Sequence, residues 1–120
     1  MGYLIIMEFD DISEFSSLTS TGSIKVRIMS LKNGLLVLIS DSDEYRLGLS
    51  AMAIPAGQGR SEPTSVGFFT KEIDSTLVRT LAERVASWTN QTCMLVVGMS
   101  SLTRERMLEL MSLLKDRLLT

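Results

Sequence analysis

Histidine is missing altogether from these 120 residues, and cysteine occurs once, at Cys93. The first absence removes the commonest general base, the commonest zinc ligand and the usual switch near neutral pH. The second excludes an intrachain disulfide and suits a reducing compartment. A basic excess is also lacking: 12 Lys and Arg stand against 14 Asp and Glu, for a net charge of −2. No positive field is therefore available to neutralise a phosphate backbone. No apolar run approaches the roughly 20 residues of a membrane span. The apolar start, Tyr3 to Met7, is too short for a secretory core and has no basic lead-in. Ile6 stands where a myristoylation signal on Gly2 needs Ser or Thr. Together these absences predict a soluble protein of the cytoplasm or nucleus.

What is present is an ordinary globular composition, with 45% hydrophobic and 22% charged residues, enough for one domain over 1–120 with its own core. Tyr3 to Phe9 reads as a strand and Asp10 to Ser23 as a polar loop, so that 1–22 forms a leading strand and connection. From Ile24 the pattern sharpens. Ile24, Val26 and Ile28 alternate with Lys25 and Arg27, as in a half-buried strand. Asn33-Gly34 predicts a type I′ hairpin turn, and Leu35 to Ile39 a strand covered on both faces. After a turn at Asp41 to Asp43, Tyr45, Leu47, Leu49, Ala51 and Ala53 share one face of a third strand, which completes an antiparallel meander. Pro55 ends it. Ala56 to Pro63 is a loop, and Ser65 to Phe69 a short fourth strand.

Asp74 or Ser75 then caps a helix whose buried side is Leu77, Val78, Leu81, Ala82, Val85 and Trp88, with Arg79 and Glu83 on the wet side and Asn90 as the closing cap. Thr92 to Met99 is an apolar, central strand. Thr103 caps a last helix, with Glu105 in its first turn and Lys115 and Arg117 in its last. The pattern predicts an α+β fold: an antiparallel sheet or sandwich of about six strands, a meander at its start, and two amphipathic helices in the C-terminal half.

None of the polar clusters has the spacing of a chemical site. Gly57-Gln58-Gly59-Arg60-Ser61 lacks the phosphate-loop pattern and no helix starts at its end. Asp41, Asp43 and Glu44 lack the later ligands of a calcium loop, and Asp10 and Asp11 read as solvated. Cys93 opens an apolar strand with nothing to lower its pKa, and Ser100 and Ser101 read as helix caps. No cofactor or metal is expected, and an enzyme is disfavoured. The surplus lies elsewhere. The last helix carries apolar residues around more than half its girth, and both faces of the central strands are apolar, so something must cover the second face. The candidate partner interface comprises Leu36 and Leu38 of the sheet with Met107, Leu110, Met111 and Leu114 of the helix.

Gly34-Leu-Leu-Val-Leu-Ile-Ser followed by Arg46-Leu-Gly-Leu-Ser-Ala-Met-Ala resembles the paired strands of the proteasome assembly chaperone 4 family. Ser75-Thr-Leu-Val-Arg-Thr-Leu-Ala-Glu-Arg-Val-Ala, then Thr89-Asn-Gln-Thr-Cys-Met-Leu-Val-Val, resembles that family's helix, short Thr-Asn turn and apolar strand. The likeness runs from about Ser23 to the C-terminus. It implies a non-enzymatic assembly chaperone that forms a heterodimer with a chaperone-3-like partner of the same fold. The pair binds a 20S proteasome α-type subunit, chiefly alpha-5, and promotes α-ring assembly. On that reading Gly57, Gln58, Gly59 and Arg60 are candidates for contact with the α subunit. The alternative is a roadblock- or longin-like dimeric adaptor that scaffolds GTPase or motor complexes. Such modules place a helix earlier in the chain.

Overall fold

Alternating burial along the second strand shows how the sheet is built. Ile24, Val26 and Ile28 are buried while Lys25 and Arg27 between them are not. The protein's structure, a computed structural model, describes residues 11–20, 22–57, 61–68, 72–99 and 102–119, with residues 72–74 described by backbone alone. The elements are β1 (Ile12–Thr19), β2 (Gly22–Leu31), β3 (Gly34–Ser40), β4 (Leu49–Ile54), β5 (Thr64–Phe68), α1 (Glu72–Thr89), β6 (Cys93–Gly98) and α2 (Arg104–Leu118). They form one six-stranded sheet in the order β1-β2-β3-β6-β4-β5. Among the described residues only the β3–β6 pair is parallel.

The core lies between one face of this sheet and the two helices. Ile28, Val37, Leu95 and Ala51 are buried in one row across β2, β3, β6 and β4. Helix α1 covers the β6 and β4 end of the row with Val78, Leu81, Ala82, Val85 and Ala86. Ala51 and Ala53 are fully buried where α1 packs on β4, and their small side chains let the helix lie close. Helix α2 packs on α1 through Met107, Leu110 and Leu114, all buried. Its cap is as predicted, with Thr103 accepting from the Arg106 N–H at 3.1 Å. Asn90 closes α1 with a positive φ of 53°, the conformation Asn tolerates better than most residues.

The α+β class is as predicted, but the meander is not the expected one. It consists of β1, β2 and β3. Residues 12–19, read as a polar loop, are an edge strand, and its Ser and Thr content reflects the exposure of that edge. The strand expected at Tyr3 to Phe9 lies outside the described residues. The strand expected from Tyr45 begins at Leu49 and does not pair with β3. Strand β6 intervenes, and residues 41–48 cross over its end. Two glycines permit the crossing: a Cβ on Gly98 would meet the Arg46 carbonyl oxygen at 2.5 Å, and one on Gly48 the Val97 carbonyl oxygen at 2.7 Å.

The hairpin glycine also differs from expectation. Lys32 and Asn33 form the two-residue turn and Gly34 is already paired with Leu31. The φ values of Asn33 and Gly34 are not positive, so this is not a type I′ turn. Gly34 is needed because a Cβ there would collide with the Thr92 carbonyl, the group that accepts from the Leu35 N–H at 2.8 Å. Helix α1 starts at Glu72, ahead of the Asp74 or Ser75 cap expected. Arg79 and Glu83 are not simply wet, since both bond to Ser65 of β5 and tie the helix to that edge.

The crossing yields a test. Gly98→Ala forces two backbones apart and should cost about 1–3 kcal/mol, in the range of other overpacked sites. Thermal unfolding by circular dichroism reads it, and a variant as stable as the parent contradicts the close approach.

Candidate protein-interaction face

Period-two alternation leaves a second sheet face pointing away from the helices. The strand register organises it into rows. Ile12 pairs with Met29, Met29 with Leu36, Leu36 with Met94, Met94 with Met52, and Met52 with Val66. One apolar side chain from each of six strands thus lines up across the whole sheet. Met52 is 38% exposed and Val66 53%, while Ile12, Met29, Leu36 and Met94 are half-buried. The next row, Glu14, Arg27, Leu38, Val96, Ser50 and Phe68, is charged at its β1 end and apolar in the middle.

The polar end of the face is already covered by the chain itself. Ser40, fully buried, donates to the Glu44 carbonyl at 2.6 Å and accepts from the Ser42 N–H at 3.0 Å. These bonds fold residues 41–48 back. They bring the Tyr45 ring over Arg27, 4.9 Å from its guanidinium carbon, and near Lys25, 5.6 Å from the ammonium. Both cations also pair with Glu14, at 2.5 Å for Arg27 and 3.4 Å for Lys25. The Arg27 hydrogen bond is the main reason the Glu14 carboxyl titrates below its ordinary range. The Tyr45 hydroxyl is buried with no hydrogen-bond partner among the described residues. Burial first, and the Glu14 charge second, push it up to about 12. Tyr45 therefore works as a lid over the cations, and the apolar row beside it stays open.

Of the residues expected at an interface, Leu36 and Leu38 lie on this face, in adjacent rows. Met111 is half-buried on the outer side of α2. Met107, Leu110 and Leu114 are a correction: they are buried in the chain's own core, with Leu110 and Leu114 at 0% exposure. The helix turns these three inward because it packs on α1 and on the sheet at once. Gly57 is exposed, and Gln58, Gly59 and Arg60 lie outside the described residues. Met29, Met52, Met94 and Val66 were not foreseen. Their signal was the apolar residue at every second strand position, which gains meaning only once the register aligns them.

The described residues contain no group of three or more His, Cys, Asp or Glu able to hold a metal ion, and no helix among them is long and apolar enough to cross a membrane. Cys93 is buried in the core, where desolvation pushes its thiol up to about 12.

This arrangement defines a class: an α+β domain with one six-stranded, mostly antiparallel sheet, two helices on one face and an apolar opposite face. Among solved structures it is similar to a chain from the crystal structure of a novel chaperone complex for yeast 20S proteasome assembly. The TM-score is 0.60 at 18% sequence identity, over 90% of this chain and 93% of that one. No family model matches the sequence, and no curated protein matches it either.

Two titrations check the local chemistry. Tyr45 should ionise near pH 12 in ultraviolet difference spectra, and Tyr45→Phe should remove that late step. Because the folded value is raised, the stabilisation is complete below the ordinary value near 10 and is lost as pH rises toward 12. Early ionisation of both tyrosines contradicts the buried hydroxyl. Cys93 should resist a thiol reagent at mildly alkaline pH until the chain unfolds, and rapid native labelling contradicts its burial.

Proposed function

We propose that this chain is a non-enzymatic chaperone of 20S proteasome assembly. It works as half of a heterodimer with a chaperone-3-like protein, in the cytoplasm and nucleus. The pair binds a proteasome α-type subunit, chiefly alpha-5, and promotes α-ring formation. The observation that carries the reading is the row Ile12, Met29, Leu36, Met94, Met52, Val66 on the open sheet face. Six strands at about 4.8 Å spacing give a face roughly 25 Å across, the scale of a modest protein interface. Methionine contributes three of the six side chains, and its flexible thioether adapts to a partner surface. An interface of that size with a polar rim is one a growing ring can displace.

Two further observations support the reading. The fold is shared with a chain of a yeast proteasome-assembly chaperone complex. Among the described residues five strands precede the first helix, an order that counts against a roadblock- or longin-like adaptor.

A tagged pulldown from native lysate tests the proposal. It should recover α subunits and a second small chaperone, without mature β subunits. Leu36→Asp combined with Met52→Asp should abolish recovery of the second chaperone while leaving the circular dichroism spectrum intact. Recovery of GTPases or motor subunits instead, or unchanged recovery with the double variant, overturns it.

A further inference from the structure

The helix layer carries a second surface, on the side of the molecule away from the open sheet face. Between α1 and α2 runs a groove of about 410 Å³ lined by Arg84, Trp88, Leu108, Met111, Ser112 and Lys115. Its floor is apolar: Trp88 and Met111 are half-buried, and Leu108 is 52% exposed. Its charges are of one sign. Arg84 and Lys115 are exposed and neither makes an ion pair with another described residue.

Helix α2 separates its charges between two flanks. Arg104, Leu108, Met111 and Lys115 follow helical spacing along the groove side. Glu105, Glu109 and Asp116 follow it along the other flank, where Glu109 is held by the Ser20 N–H at 3.0 Å and the Ser20 hydroxyl at 2.7 Å. The carboxylate nearest the groove on α1, Glu83, is bound to Ser65. An incoming segment thus meets apolar anchors between two unpaired cations, with the acids turned away.

We infer that this groove is a docking site for an acidic amphipathic helix of a partner protein. Its aliphatic side chains seat on Trp88, Leu108 and Met111, and its carboxylates meet Arg84 and Lys115. A third helix fits because the ridges of α1 and α2 leave a channel that a helix ridge can enter. Charge complementarity selects acidic over basic segments and speeds encounter. The groove and the sheet face lie on opposite sides, so both can be occupied together. This inference does not depend on the chaperone reading.

Trp88 is the chain's single tryptophan, so its fluorescence reports occupancy directly. The probe is a synthetic amphipathic peptide of about four helical turns with leucines on one face and glutamates beside them, compared with a counterpart carrying lysines for glutamates. The acidic peptide should shift Trp88 emission saturably and bind at least about tenfold more tightly than the basic one, which is about 1.4 kcal/mol. Raised salt should weaken it, and Arg84→Glu with Lys115→Glu should erase the preference. Leu36→Asp on the sheet face should leave it unchanged, which separates this test from the pulldown. No shift of Trp88, or equal binding of the two peptides, overturns the inference. A shift that grows with protein concentration alone assigns the groove to a second copy of the chain and also overturns it. If the charge-reversed variant fails to fold, the peptide and salt comparisons on the unmodified protein decide.

Discussion

The insertion of β6 between β3 and β4 is the constraint on which the rest depends. It makes one strand parallel to β3 and antiparallel to β4, and it requires the chain to travel through β4, β5 and α1 before the sheet is complete. It also requires residues 41–48 to pass over the end of β6, where side chains at Gly48 and Gly98 would strike carbonyl groups. That crossing carries Tyr45 onto the polar end of the sheet. A single topological feature therefore sets the order of strands, places α1 over the core and decides which part of the second face stays open.

The second face divides accordingly. At one end, Glu14 pairs with both Lys25 and Arg27 beneath Tyr45. Exposed ion pairs of this kind contribute little to stability, but they keep that end hydrated and fix a polar rim. Across the sheet the apolar row is continuous from β1 to β5. An apolar band bounded by charges is the ordinary anatomy of a protein-binding surface.

Periodicity made much of the fold legible. The alternation in β2, the apolar run of β3, the central β6 and the buried side of α1 all appear in the sequence, as do the caps at Thr103 and Asn90. Such patterns record which residues are buried, but they do not record which strand is the neighbour. The β3–β4 pairing was misread for that reason, since nothing local announces a strand arriving from 58 positions later, as Leu35 pairs with Cys93. Strand β1 was missed because an exposed edge carries polar residues and weak alternation. Half of the candidate interface failed at α2. A helix that packs on another helix and on a sheet buries more of its girth than a surface helix does, so apolar surplus was taken for exposed surface at Met107, Leu110 and Leu114. Leu36 and Leu38 lie on the open sheet face, and the alignment of Met29, Met94, Met52 and Val66 with Leu36 emerges only from the register.

The most direct test of the account is photo-crosslinking in cells from a reactive residue at position 52, in the middle of the open row. The account predicts an adduct with a second small assembly chaperone. An adduct with a GTPase or motor subunit, or none at position 52 while the protein is bound in a larger complex, would contradict it.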